Sequence, residues 1–564
     1  MPQRIRCALL ALLLVFIFVL THCRAEFRSF DGTGNNPAHP EWGAAETAFA
    51  RLAPADYADG VSVARLNGRP NPRAIGVALS KQLDPRPNAR RLSGYVYAFG
   101  NLLSHDSQLT LSGSTEVVPF TTPLNDDMFF PNQVVRLTRS RFDETTGTGP
   151  DNPRQQMNFT TAFIDASQIY GPDELTASIL RGGPVNPGAK LVTSNDINGD
   201  GENLLPRNAF GPAPNAPFVA GDGRVNDNIV LTGMHTLFMR EHNRLVDSLT
   251  IEHPDWSSDE LFQRARKIVG AQMQVITYNE FLPAMLGTHT PLPTGHYDPM
   301  LNPAVLNEFP AVFLRIGHSM LTNDFKRILN DGQSIPEGPL PLTEAFEDPS
   351  KLTTSFELDL FLKGLSVEIQ EEVDLQLVDG MRIALLDAID IQRARDHGIP
   401  DYNTLREAYG LQRVTSFAEI TSNSDIQNAM AAIYGDVDDI DPFIGALAED
   451  HLPGASVGPL VAAAYQIQFA ILRDGDRFWY EHDPDFTAAE ISELAQTSLA
   501  DIILRNTGVR NLPANIFVTV PEPASVRILI GLVVAVFLVR QTNSRFLCWL
   551  HRSGQKGELR SGWS

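Results

Sequence analysis

A chain of 564 residues with 43% hydrophobic and 20% charged side chains has ordinary globular composition and is long enough to bury a sizeable core. Its net charge of -22 repels phosphate backbones, which argues against nucleic acid as a partner. The three cysteines, Cys7, Cys23 and Cys548, lie near the ends, so the interior has no disulfide framework, no thiolate metal site and no thioether-linked cofactor.

At the start, Arg4 and Arg6 precede an apolar run from Ala8 to Leu20, and small-residue cleavage positions follow at Cys23-Arg24-Ala25. The run is short for a bilayer span of about 20 residues, so residues 1–25 read as a secretory signal, with an uncleaved anchor as the alternative. Residues 26–518 read as one body. Helical periodicity dominates it, and sustained strand alternation is scarce. The expected fold is mainly α, a single large domain. Leu92, Tyr95, Val96, Phe99, Leu102 and Leu103 make one apolar helix face. Val230, Met234, Leu237, Phe238 and Leu245 make a second, and Val312, Phe313, Ile316 and Met320 a third. Pro/Gly-rich stretches at 184–188, 206–217 and 291–303 read as loops.

Four constellations carry chemistry. His105 ends an apolar helix in Phe99-Gly100-Asn101-Leu102-Leu103-Ser104-His105-Asp106. It is either a satisfied core residue or an acid/base group above a cofactor. Next, Thr161-Ala162-Phe163-Ile164-Asp165-Ala166-Ser167 sets oxygen-bearing side chains at 161, 165 and 167, with the Phe163 carbonyl to fill the gap. One loop so spaced can wrap a hard cation that takes six to eight oxygens, with Asp106 as a further anionic ligand. The alternative is a capped helix start, with Ser167 or Asp165 as the cap. In the third, Arg224 and Asp227 are three apart and can share a helix face, as charge stabiliser near His105 or as a surface ion pair. His235 and His242 follow on the same helix and read as packing. The fourth is Arg315-Ile316-Gly317-His318-Ser319, where Gly317 permits close approach to a histidine suited to an axial iron ligand. Its second-shell acceptor is sought in the segment 389–398, which includes Asp390. Arg393, Arg395 and Asp396 there read equally well as a buried structural network.

Taken in order, these motifs resemble the animal-type haem peroxidase (peroxidase–cyclooxygenase) superfamily, in its bacterial, peroxidasin-like branch. The likeness begins at Phe30-Asp31-Gly32-Thr33-Gly34-Asn35-Asn36, and closes with 438–448 and Leu472-Arg473-Asp474-Gly475-Asp476-Arg477-Phe478-Trp479. It implies haem b, with His105 as distal histidine, Arg224 as distal arginine and His318 as proximal ligand. It also implies calcium, held by Asp106, Thr161, Phe163, Asp165 and Ser167. The implied reaction reduces hydrogen peroxide and oxidises a small reductant such as a phenol, iodide, bromide or thiocyanate.

Four departures qualify this. Ser104 replaces an ester-forming aspartate, and the shorter Asp227, followed by Asn228, replaces an ester-forming glutamate, so at most one covalent haem link is expected. Asn101 replaces the halide-associated glutamine. Asp390 replaces the proximal asparagine, which should push the imidazole toward imidazolate and lower the iron potential. A fatty-acid dioxygenase on the same fold is the first rival, but Arg315 stands where cyclooxygenases carry a radical-forming tyrosine. A non-catalytic surface or matrix protein is the second. Residues 519–564, with Pro521-Glu522-Pro523, an apolar stretch from Ile528 to Val539 and Arg540, resemble a bacterial PEP-CTERM sorting tail. That likeness implies export and transient membrane and exosortase contact, with a plain C-terminal membrane anchor as the alternative.

Overall fold

The computed structural model describes residues 26–207, 217–293, 295–346 and 348–519. The expected signal at 1–25, and all of the expected tail except Thr519, lie outside the described residues. So do residues 208–216 of one expected loop.

The body is mainly helical. Helix α1 (Gly94–Ser107) is capped by Ser93, whose hydroxyl accepts from the Tyr95 amide, and it buries almost every residue. Leu92 precedes the helix rather than joining it; it forms an antiparallel bridge with Val518. Helices α2 (Ile229–Glu252) and α3 (Ser258–Ile276) pack against one another, and α2 also packs on α1. The apolar face expected from Val230 to Leu245 is the buried face of α2. Helix α3 runs into a π-helical turn, Thr277–Phe281. Such single-turn bulges recur at functional sites. Helices α4 (Leu386–Asp396) and α5 (Pro459–Asp474) complete the frame around the site.

The third expected helix is different in kind. A four-residue α turn, Glu308–Ala311, breaks at Val312 (φ -131°, ψ -63°) and continues as a 3-10 helix, Phe313–Ser319. Its buried residues are Phe313, Ile316 and Ser319, spaced by three, which is the 3-10 period. An i, i+3 apolar spacing fits both helix types, so the sequence pattern could not separate them.

Among the described residues the strands form three two-stranded antiparallel pieces. The largest, β1 (Ser112–Thr121) with β2 (Val134–Ser140), pairs Val117 with Thr138 and Thr121 with Val134. Sequence periodicity missed this hairpin because its buried alternation is brief: Val118 and Phe120 are buried on either side of Pro119, a residue that argues against a paired strand, while Ser112 and Thr115 to Val117 are exposed.

The end of the described body closes onto α1. The Ser93 amide donates to the Phe517 carbonyl at 2.9 Å, and the Ser93 hydroxyl donates to the Ile516 carbonyl. Phe517 sets its ring edge-on to Phe99, with centroids 5.7 Å apart. No helix among the described residues is long and apolar enough to cross a membrane.

Candidate active site

Helix α1, the Arg224 turn and the 3-10 helix together bound one cavity. It holds about 1060 Å³ of space between atoms, its open mouth included. Asn101, His105, Arg224, Asp227, Arg315 and His318 all line it. Six of the residues named from sequence are therefore brought together from three separate stretches of chain.

His105 is buried on the last turn of α1. Its Nδ1 has no hydrogen-bond partner, and its Nε2 lies 3.9 Å from the Asp227 carboxylate. Burial, reinforced by the Arg224 charge, holds its pKa well below the ordinary histidine value, so the ring is neutral. Arg224 lies on a 3-10 turn, Gly223–Asn226, capped by Asp222. Its ion-pair partner is Asp222, at 2.6 Å, not Asp227. Its Nη2 also donates to the Gln108 carbonyl at 2.7 Å and the His105 carbonyl at 3.4 Å, which ties the turn to the end of α1. None of these bonds uses Nη1. Burial opposes the Asp222 charge, yet Arg224 holds that carboxyl below its usual range.

On the other element, the 3-10 period that buries Phe313, Ile316 and Ser319 leaves Arg315, Gly317 and His318 to line the cavity. His318 Nδ1 donates to Asp390 Oδ2 at 2.6 Å, and Arg315 donates to Asp390 Oδ1 at 2.7 Å. Nε2 is the ring nitrogen left for a ligand. Asp390 is fully buried on α4; burial opposes its charge, but His318 and Arg315 hold its pKa below the ordinary value. A Cβ built on Gly317 would meet only Tyr97, at 3.8 Å, so protein packing does not demand glycine there. The remaining lining is largely apolar, including Leu103, Phe281, Leu314 and Met320. An apolar slot with two imidazoles and two guanidiniums at its wall fits a flat, mostly apolar, anionic macrocycle with a central metal.

The expected cation loop gathers behind His105. Asp106 Oδ1 accepts from the Ser167 amide at 2.7 Å, and its Oδ2 from the Asp165 and Ala166 amides. Asp165 Oδ1 accepts from the same Ser167 amide at 3.0 Å, and Thr161 donates to Asp165 Oδ2 at 3.1 Å. Phe163 is fully buried in this loop, beneath the guanidinium of Arg28. Burial and the Asp165 charge push Asp106 well above the ordinary carboxylate range. Two buried acids at one point suit a cation between them. Among the described residues no three His, Cys, Asp or Glu side chains cluster as a metal site; this loop has two carboxylates, with hydroxyls and a carbonyl beside them. The helix that starts at Ser167 has no side-chain cap from Ala166, its N-cap.

His235 and His242 are buried structural groups. His235 Nδ1 donates to the Leu231 carbonyl at 2.9 Å. His242 Nε2 donates to the Ala189 carbonyl, and its Nδ1 accepts from the Tyr170 hydroxyl. In the 389–398 segment, Arg395 and Asp396 are buried ion-pair members that brace Asp441 and Arg139.

Sequence reasoning missed Tyr97 and Asp222. Tyr97 lines the cavity and accepts weakly from Asn101 at 3.3 Å and Asn228 at 3.4 Å. Its place one helical turn before Asn101 was the available signal. For Asp222 the signal was an acidic residue two before an arginine in a Gly-rich turn, the pattern of a side chain that accepts from the backbone two residues on.

A family model, "Animal haem peroxidase", matches residues 27–517. Thyroid peroxidase of Rattus norvegicus is 34% identical over 556 residues, covering 87% of this chain and 61% of that protein. Among solved structures, Peroxidase A from Dictyostelium discoideum superposes with a TM-score of 0.78 at 30% identity, covering 88% of this chain and 100% of that one. A fatty acid alpha-dioxygenase of Arabidopsis thaliana gives a TM-score of 0.74 at 16% identity, covering 88% and 84%, a likeness of fold alone.

Proposed function

Because this chain belongs to the animal haem peroxidase family, we propose that it reduces hydrogen peroxide and oxidises small reductants, phenols first among them. The observation that carries this is the pair of imidazoles on one cavity, His105 neutral with Nδ1 unpartnered and His318 with Nδ1 bound to a carboxylate. When bound, haem supplies the iron and the porphyrin that take up the oxidising equivalents of peroxide. His318 would hold the iron through Nε2. The neutral His105 ring takes a proton from one peroxide oxygen and returns it to the other. Arg224, pinned by Asp222 and Gln108, presents a fixed positive charge where negative charge develops as the O–O bond breaks.

Three finer readings follow from the residues present. The charged Asp390 makes His318 a stronger electron donor than an amide partner would, which favours one-electron oxidation of phenols over oxidation of halides. Asn101, a short amide engaged by Tyr97, points the same way; iodide, bromide and thiocyanate remain candidates to screen. Among the described residues Asp227 is the acid that lines the cavity near His105, which supports at most one ester to haem. We read Asp106, Thr161, Phe163, Asp165 and Ser167 as calcium ligands that brace the end of α1.

We read residues 1–25 as an export signal, 26–518 as the peroxidase domain, and 519–564 as a PEP-CTERM-like tail. Together they suggest an exported bacterial protein of the peroxidasin-like branch, in transient contact with an exosortase. The dioxygenase reading has one observation in its favour: Tyr465 lines the cavity although Arg315 occupies the tyrosine position near His318. Oxygen uptake with a polyunsaturated fatty acid and no added peroxide would support it. The decisive experiment is absorption spectroscopy of the purified holoprotein. A Soret band that shifts on adding peroxide and returns on adding a phenol is the expected result. A protein that takes up no haem would overturn the reading and favour a non-catalytic surface role.

A further inference from the structure

From the cavity wall a run of aromatic rings leads outward. Tyr465 and Phe469, one turn apart on α5, both line the cavity, with ring centroids 5.6 Å apart. Phe469 lies 6.0 Å from Tyr278, in the π-helical turn that ends α3. Tyr278 lies 4.8 Å from Trp479, and Trp479 5.2 Å from Tyr480. Each spacing falls in the range of packed aromatic pairs, about 4.5–7 Å.

Packing accounts for part of this, since Trp479 and Tyr480 belong to a small apolar cluster with Val275, Phe486 and Leu494. It does not account for the order of the polar ends. The Tyr465 hydroxyl donates to the Phe313 carbonyl, and the Tyr278 hydroxyl to the Phe469 carbonyl. Main-chain carbonyls do not accept a proton outright, so these two phenols have no base. The outer indole does: Trp479 Nε1 donates to the Glu481 carboxylate at 2.9 Å, and Glu481 is exposed. Tyr480 is 6% exposed, so the run stops just beneath the surface. The Arg473 guanidinium, 5.6 Å from the Tyr278 ring, would oppose a positive charge there, but Asp474 pairs with it at 2.7 Å.

We infer that this run is an electron relay, and that the surface over Trp479 and Tyr480 is a second oxidation site, for one-electron donors too large to enter the cavity. The inference rests on the peroxidase reading. Reduction of one peroxide to two waters consumes two electrons and two protons. In the relay each electron moves inward from Trp479 through Tyr278. Phe469, which has no hydroxyl and is harder to oxidise, serves as a bridge and not a station. Tyr278, lacking a base, keeps its proton and passes the hole outward. Oxidation makes the Trp479 N–H far more acidic, comparable to a carboxylic acid; its Nε1 proton moves to Glu481 and leaves a neutral indolyl radical. A phenolic donor outside then gives up one electron and one proton, which restore the indole and its N–H bond. The donor departs as a phenoxyl radical and exposed Glu481 releases its proton to solvent, so two such events, with two protons drawn from solvent at the cavity, match one peroxide.

The test uses the full-length holoprotein, hydrogen peroxide and two donors, free tyramine and tyramine coupled to dextran. A spin trap added with peroxide alone, followed by proteolysis and mass spectrometry, locates the radical. The wild type is expected to oxidise both donors and to carry the adduct at Trp479 or Tyr480. Trp479→Phe is expected to keep free-tyramine turnover and lose dextran-tyramine turnover roughly tenfold or more. Glu481→Gln keeps the side chain's size but removes the base. It should slow only the tethered donor and change the paramagnetic resonance signal from a neutral to a protonated radical. If Trp479→Phe does not fold, Tyr278→Phe, which removes only a hydroxyl, carries the same comparison. Equal turnover of the tethered donor by variant and wild type, or no adduct at either residue while free tyramine is oxidised, overturns the relay and leaves the peroxidase reading standing. Failure of the wild type to oxidise either donor overturns both.

Discussion

The two walls of the cavity hold the same side chain in opposite ways. His105 is on a regular α-helix, 5% exposed, with one ring nitrogen unpartnered and its charged form disfavoured by burial. His318 is on a 3-10 turn, its side chain 26% exposed, with Nδ1 bound to a buried carboxylate that a guanidinium also holds. The first arrangement leaves a ring able to take up and release a proton. The second removes that freedom and orients one lone pair. What a histidine does here is set by the partner of its second nitrogen, not by its neighbours in sequence.

The largest expected effect comes from swapping that distinction away. His318→Ala should purify without haem even after reconstitution, read as absence of a Soret band. His105→Ala should bind haem normally but react with peroxide about 10²–10⁴-fold more slowly in stopped-flow absorbance. Equal haem loss in both variants would erase the contrast between the walls.

Much of this is legible in the sequence. His105, Arg224 and His318 each stand in a motif whose residue types and order limit the chemistry, and the helical frame follows from apolar periodicity. The partners were harder to find. Asp222, rather than Asp227, pairs with Arg224 because a tight turn brings position i+2 back onto the carboxylate, a matter of turn geometry and not of helix spacing. The bond from Arg315 to Asp390 joins residues 75 apart in the chain, and only tertiary packing sets it. The hairpin is hard to read because its buried alternation spans only Val118 and Phe120, with Pro119 between them.

The next effect tests what braces the distal wall. If calcium binds the Asp106–Asp165 loop, a chelator should lower stability by about 3 kcal/mol relative to a hundredfold excess of calcium over its Kd, seen as a fall in Tm. Asp106→Asn should abolish that dependence. A Tm indifferent to both would leave the loop as a hydrogen-bonded structure only.

On the proximal wall, Asp390→Asn should weaken haem binding by about 10–100-fold and raise the Fe(III)/Fe(II) potential, measured by spectroelectrochemistry. An unchanged potential would mean that Arg315 already cancels the carboxylate's influence.

Smallest is a pH effect that probes the packing behind each wall. Burial lowers the pKa of His235 and His242 to about 4 and drives His397, which caps the end of α4 and bonds Ser140 and Asn307, well below its ordinary value of 6.5. In the unfolded chain these rings take up protons near 6.5, so stability falls as pH drops below that value. Between pH 7 and 6 the loss is about 0.7 kcal/mol per ring, measurable by denaturant titration. His242→Gln and His397→Gln should each flatten the acid profile by one ring's share, and a profile unchanged in either variant would show that its ring is not held neutral by burial.

The junction of Ser93 with Ile516 and Phe517 bears on biosynthesis. A ribosome delivers α1 early, but the segment that seats its first turn emerges only after more than four hundred further residues. Synthesis must therefore pass Phe517 before the wall that carries His105 can lock, and prosthetic-group insertion is expected to wait for that segment. A truncation that removes 515–519 should consequently release a polypeptide that is helical yet incompetent to mature.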